Sequence, residues 1–158
     1  MRNLLIIINL IIAGFLFSCN DNRIYEHNFE FKNSEWHIDT VPVFPIEADE
    51  KLNNCNLVIN VRNGINYPYY NLFLKYEILD SVRKKIREEQ VEFIIMDPKT
   101  GQPLGSGSVD LFFHKFLIAQ NFKFPYKGKF YVRLIQYMRE EKLKGIQSVG
   151  LRIEKAKS

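Results

Sequence analysis

From residue 24 onward the apolar side chains recur at every second position, and this period constrains the fold more than any other feature. Leu57, Ile59 and Val61 alternate with Val58 and Asn60, and Leu72, Leu74, Tyr76 and Ile78 share one face of a second run. Val149, Leu151 and Ile153 alternate with Gly150, Arg152 and Glu154 near the end of the chain. A strand sends successive side chains to opposite faces, so period two predicts strands with one face in a core. Tyr25 to Phe31 repeats the pattern with Phe29 and Phe31 on one face, as do Val91 to Met96 and Phe122 with Phe124. Val41 to Ile46 carries Pro42 and Pro45, which predicts an edge strand or an extended arm. Lys129 to Tyr137 is apolar on both faces, as a central strand should be. Asp97 to Gly101 reads as a turn. About eight short strands with turn signals between them predict an all-β chain, a single antiparallel β-sandwich of jelly-roll type. Periodicity leaves Val109 to Gln120 open between a helical turn and a strand. A disordered tail is expected only over Lys155 to Ser158.

The first residues follow a different rule. Arg2 precedes an apolar run from Leu4 to Phe17, broken by Asn9. The run is shorter than the roughly 20 residues that span a bilayer, and polar sequence follows at once, so a secretory signal fits and a permanent membrane helix does not. It ends in Leu16-Phe17-Ser18-Cys19, which resembles the lipobox of bacterial lipoproteins, although Phe17 is bulkier than usual there. The resemblance implies diacylglycerol on the thiol of Cys19, cleavage between Ser18 and Cys19, and acylation of the new amine. The alternative is an ordinary signal peptide with a cysteine near its end. The expected organisation is a lipoprotein signal peptide over residues 1–18, the lipidated Cys19 with a polar spacer over 19–23, and a β-sandwich over 24–155. One acyl chain binds a membrane only marginally, at about 0.8 kcal/mol per buried methylene, so two or three chains are needed for a lasting anchor.

Composition narrows the chemistry. The chain has 158 residues and a formal charge of +4; removing Arg2 with the signal leaves 21 basic and 18 acidic side chains, hence +3. That excess is too small to imply nucleic acid, but gives weak attraction to an anionic surface at low salt. If lipid occupies Cys19, Cys55 has no disulfide partner within the chain and reads as a half-buried apolar residue. Glu35, His37 and Asp39 alternate, so a metal or acid/base site is conceivable, but solvated polar residues beside a packed Trp36 are the simpler reading. Ser81-Val82-Arg83-Lys84 and Lys99-Thr100-Gly101 imitate β-lactamase motifs, yet lie too close for the domain between them. Gly105 to Ser108 reads as a flexible loop, and the basic run Arg83 to Arg87 as a solvated connection between strands, with contact to an anionic surface or a partner as the alternative. No catalytic residue, metal or cofactor is expected, and the chain is read as a non-enzyme. Candidate partner contacts are Tyr67, Tyr69 and Tyr70 around Pro68, with core packing of at least one ring equally ordinary, and the polar loop with Arg139 and Lys142, whose alternative is a hairpin connection kept polar merely to stay in water.

Trp36-His37, the stretch VRNGINYPYYNLFLKYEI from Val61 to Ile78, and YMREEKLKGIQSVGLRIE from Tyr137 to Glu154 resemble the gliding-motility lipoprotein family GldH of Bacteroidetes. The resemblance covers the mature chain and includes the cysteine of the lipobox. It implies a non-enzymatic accessory lipoprotein of the cell envelope, facing the periplasm. Its partners would be other envelope proteins of the machinery for gliding and type IX secretion. It transfers no catalytic residues. A lipid-anchored carbohydrate-binding sandwich using Tyr67, Tyr69 and Tyr70 is the alternative.

Overall fold

The structure is a computed structural model that describes residues 22–156. The expected signal peptide and Cys19 lie outside the described residues, as do Lys157 and Ser158. In chain order the strands are β1 (Arg23–Glu30), β2 (Glu35–His37), β3 (Val43–Ala48), β4 (Cys55–Gly64), β5 (Asn71–Leu79), β6 (Lys85–Ile94), β7 (Ser106–Ser108), β8 (Leu111–Phe122), β9 (Gly128–Gln136), β10 (Lys142–Lys144) and β11 (Ile146–Lys155). The chain is nearly all β, and every named strand pairs antiparallel. One sheet has the order β1-β11-β4-β8-β7, the second β3-β9-β5-β6, and β2 with β10 makes a separate two-stranded ribbon.

The alternating positions of β4, β5 and β11 do what their period predicts, whereas in β1 the expected inward Phe29 is exposed and only Phe31, just past the strand, is buried. Leu57, Ile59, Val61, Val149, Leu151 and Ile153 from the first sheet are fully buried, as are Leu72, Leu74, Tyr76 and Ile78 from the second. They belong to one apolar cluster with Phe44, Phe130 and Leu134. Burying each such side chain stabilises the fold by about 1.5–3 kcal/mol. The cluster extends to the open side between β6 and β8, where the Phe93 and Phe116 rings lie parallel with centroids 4.0 Å apart. β3 is an edge strand, with Pro45 on its exposed side and Phe44, Ile46 and Ala48 buried.

Four expectations are corrected or completed. Val109 to Gln120 resolves as strand, since β8 runs from Leu111 to Phe122 beside β4. The basic run is only partly a connection, because β6 begins at Lys85 and takes Arg87 into the sheet. An edge strand needs backbone partners on one side only, so a charged sequence can occupy it. Gly105 to Ser108 is not simply a loop: Ser106–Ser108 pairs with β8. Gly107 is required there, since a Cβ would stand 2.1 Å from the Leu111 carbonyl oxygen. Lys155 completes β11 rather than opening a tail, and the Ala156 N–H donates to the Asn54 carbonyl at 3.2 Å.

The connections sort into two ends. Residues 31–42, 65–70, 95–105, 109–110 and 137–145 join strands at one end. Residues 49–54, 80–84 and 123–127 join them at the other, where β1 starts and β11 finishes.

Candidate functional site

The segments with the most distinctive side chains meet at the end away from the start of β1. Trp36 is fully buried opposite Leu143 in the β2–β10 ribbon, stacked on Phe31 at 5.0 Å, and its indole N–H donates to the Thr40 carbonyl at 2.8 Å. Burial of a whole indole with its N–H satisfied pins the ribbon to the core. The ribbon extends by one bond from the Ile38 N–H to the Glu141 carbonyl, at 2.8 Å.

Gly145 ties the ribbon to the 65–70 segment. Its N–H donates to the Ser34 carbonyl and its carbonyl accepts from the Gly64 N–H, each at 2.8 Å. Its φ is +82°, and a Cβ there would lie 2.6 Å from Tyr67 Cα. Glycine alone combines this conformation with so close an approach.

Two of the three tyrosines are committed inward. Tyr67 is 3% exposed, and its hydroxyl donates to the Asn71 carbonyl at 2.7 Å. Burial pushes its phenol well above the usual tyrosine range. The expectation that Tyr67 is a partner contact is therefore corrected: its hydroxyl has an internal acceptor, so the ring enters the core. Tyr69 is half-buried, edge-on to Tyr67 at 5.8 Å, and donates its hydroxyl to the Glu140 carboxylate at 2.5 Å. That hydrogen bond raises the phenol's pKa. Tyr70 is the exposed one, so the three rings do not form a shared stacking platform.

The loop after β9 is held from several sides. The Gln136 side chain donates to the Glu140 carbonyl and accepts from the Met138 N–H at 3.0 Å. The Tyr137 N–H donates to the Phe73 carbonyl at 2.9 Å, and the Phe73 N–H donates to the Met138 thioether at 3.1 Å. Arg139 sits at φ +60°, a conformation that a non-glycine residue keeps only when its surroundings fix it. Arg139, Glu141 and Lys142 project into solvent, as does Tyr137, which the periodicity alone would assign to the end of a central strand. Tyr137 and Arg139 stand between a cleft of about 350 Å³ toward Phe73 and Gln90 and one of about 200 Å³ toward Ile38.

His37 faces this loop. Its Nδ1 accepts from the Asp39 N–H at 3.2 Å, so a neutral ring carries its proton on Nε2, 3.6 Å from a Glu141 carboxylate oxygen. Among the described residues, no group of three or more His, Cys, Asp and Glu side chains is placed to hold a metal ion. Cys55 is fully buried, with its Sγ 3.5 Å from the Phe122 carbonyl, and burial pushes its thiol up to about 11. Cys19 lies outside the described residues.

This end thus gathers Trp36-His37, the middle of Val61 to Ile78, and the beginning of Tyr137 to Glu154. Comparison with known proteins spans all three segments. The family described as GldH lipoprotein matches residues 23–153. The chain is 33% identical over 152 residues to the gliding motility lipoprotein GldH of Flavobacterium johnsoniae, covering 92% of each chain. It is 33% identical over 165 residues to the gliding motility lipoprotein GldH homolog of Christiangramia forsetii, covering 99% of each. No solved structure matches the chain.

Proposed function

The chain belongs to the GldH lipoprotein family, and from that premise we propose that it is a lipid-anchored accessory protein of the cell envelope. It acts in gliding, or in the type IX secretion machinery associated with it, by contact with other envelope proteins and not by catalysis. Cys19 carries the anchor, and the domain faces the periplasm. A domain confined to a membrane face meets other anchored proteins at raised effective concentration, so modest contacts suffice.

The observation that carries this reading is the convergence at one end of the fold. Three family-like segments, far apart in sequence, are packed there around a loop whose backbone is fixed and whose Tyr137, Arg139 and Lys142 side chains point outward. Pre-ordered backbone lowers the entropic cost of docking. The carbohydrate-binding alternative loses its main support once Tyr67 enters the core.

The finer reading of the fold, a jelly-roll sandwich, is supported by the strand order. With β2, β7 and β10 set aside, the strands run first, eighth, third, sixth in one sheet and second, seventh, fourth, fifth in the other. Two interlocked Greek keys generate that order.

The test uses two pairs of substitutions in the native host. Arg139→Glu with Lys142→Glu should weaken gliding or secretion while the protein stays folded and anchored. Glu35→Ala with His37→Ala should leave both intact. The opposite outcome overturns the contact reading and directs attention to chemistry around His37.

A further inference from the structure

The other end of the domain has a different character. Loops 49–54, 80–84 and 123–127 lie together there with both ends of the described chain. Lys127 pairs with Glu50 at 2.7 Å, and Tyr126 lies beside the Asp80 carboxylate. The Lys155 N–H donates to the Asn22 carbonyl at 2.9 Å, and the Ala156 N–H reaches Asn54.

Charge divides the two ends. Loops 49–54, 80–84 and 123–127 with residues 155–156 carry six basic side chains against three acidic ones. The connections at the opposite end carry five basic against six acidic. The net positive charge of the mature chain, +3, is thus matched by this one end. Its acids are also occupied locally. Asp80 accepts from the backbone N–H groups of Val82 and Lys84, Asp49 accepts from that of Lys51, and Glu50 holds Lys127. Lys84 and Lys123 project into solvent with no ion-pair partner among the described residues. Arg83 is exposed with its guanidinium 3.5 Å above the Tyr131 ring. Beside these cations stand Val82, 78% exposed, and Tyr126, 48% exposed.

The tether decides what this end meets. Resting on the anchoring of Cys19 given above, only Asn20, Asp21 and Asn22 separate the lipid from Arg23, where β1 begins. Four fully extended residue steps reach about 14 Å. That reach is an upper limit, so this end can come within one Debye length of the bilayer, about 8 Å at physiological salt, where the surface charge is felt.

We propose that the end formed by loops 49–54, 80–84 and 123–127 is a membrane-contact face that rests on an anionic lipid bilayer. Arg83, Lys84 and Lys123 contact headgroups, and Val82 with Tyr126 enters the interfacial layer, where partly apolar side chains flanked by cations are favoured. The family-like end, with Tyr137 and Arg139, then points away from the membrane.

The experiment uses the full lipidated chain in phosphatidylcholine vesicles containing phosphatidylglycerol, with brominated acyl chains as quencher. Trp36 is the single native tryptophan and is fully buried, so it supplies a constant background. Val82→Trp and Tyr126→Trp should each lose emission and shift to the blue. Val109→Trp, at the far end and 82% exposed in the native residue, should do neither. Combined Arg83→Glu, Lys84→Glu and Lys123→Glu, checked by circular dichroism, should abolish the quenching of Val82→Trp. High salt or omission of phosphatidylglycerol should weaken it without any charge substitution. Intact mass reports the lipid on Cys19 independently. Lipid present with Val82→Trp and Val109→Trp equally quenched, or both unquenched, overturns the membrane-contact face alone; the second result is also expected if a protein covers this end. An unlipidated chain overturns the anchor and this proposal with it.

Discussion

Replacing Gly145 by alanine separates two costs that coincide at one residue. The first is backbone conformation: at φ +82° an L side chain costs about 1–2 kcal/mol. The second is space. The new methyl would meet Tyr67 Cα at 2.6 Å and Tyr67 N at 2.8 Å, and these are backbone atoms that cannot rotate aside. Overpacking of that kind adds about 1–3 kcal/mol, while the stiffer unfolded chain returns about 0.4–1 kcal/mol. The expected loss is therefore about 2–4 kcal/mol; at ~2.1 cal/mol/K per residue over about 135 residues, Tm should fall by about 7–14 °C. Gly101 is the control. Its φ is +69°, and nothing lies within 4 Å of a Cβ built there, so Gly101→Ala bears the conformational cost alone. It should lose about 1 kcal/mol and at most about 4 °C. Thermal unfolding of the purified proteins, followed by Trp36 emission, reads both. Equal falls for the two variants would refute the steric part of the reasoning. An unchanged Tm for Gly145→Ala would refute all of it.

Cys19→Ala should abolish incorporation of labelled lipid and release the domain from membranes, or leave uncleaved precursor; label persisting on the variant contradicts the anchor. Burial holds His114, whose Nε2 lies 2.9 Å from Asn63 Oδ1, below the ordinary histidine pKa of 6.5. The unfolded chain then binds the proton more readily, so this group's contribution to stability is complete above 6.5 and is lost as pH falls through the folded value. Tm should drop between about pH 7 and pH 5 more steeply in the native protein than in His114→Gln; parallel profiles count against it. The Cys55 thiol, raised to about 11 and fully buried, should resist alkylation at neutral pH until the protein unfolds. Fast labelling of the native state would mean that the core opens near Phe122.

The strands most legible in the sequence are those with one face wholly in the core. Leu57-Ile59-Val61 and Leu72-Leu74-Tyr76-Ile78 alternate because water is absent on one side and backbone partners stand on both. β6 is less legible, since Arg87, Glu88 and Glu89 are held in register by pairing with Ile78, Glu77 and Tyr76 on one side alone. β2 and β10 are three residues each, too short to show a period, and meet only because the chain returns after more than one hundred residues. The candidate site shares that difficulty. Tyr69 and Glu140, or His37 and Glu141, are neighbours through folding and not through spacing. The inward turn of Tyr67 depends on the Asn71 carbonyl, and a run of tyrosines does not reveal which ring finds such an acceptor.

The sheet margins bear on life at high surface density. Molecules confined to a plane collide side by side, and open strand edges would let them zip into ribbons. β3 presents Pro45 within its edge strand, β7 is only three residues long, and five of the ten residues of β6 are charged: Lys85, Arg87, Glu88, Glu89 and Glu92. Each device makes lateral pairing unfavourable, so these three margins oppose polymerisation when the protein is crowded in two dimensions, and among the described residues β1 is the one edge of the two larger sheets without such a device.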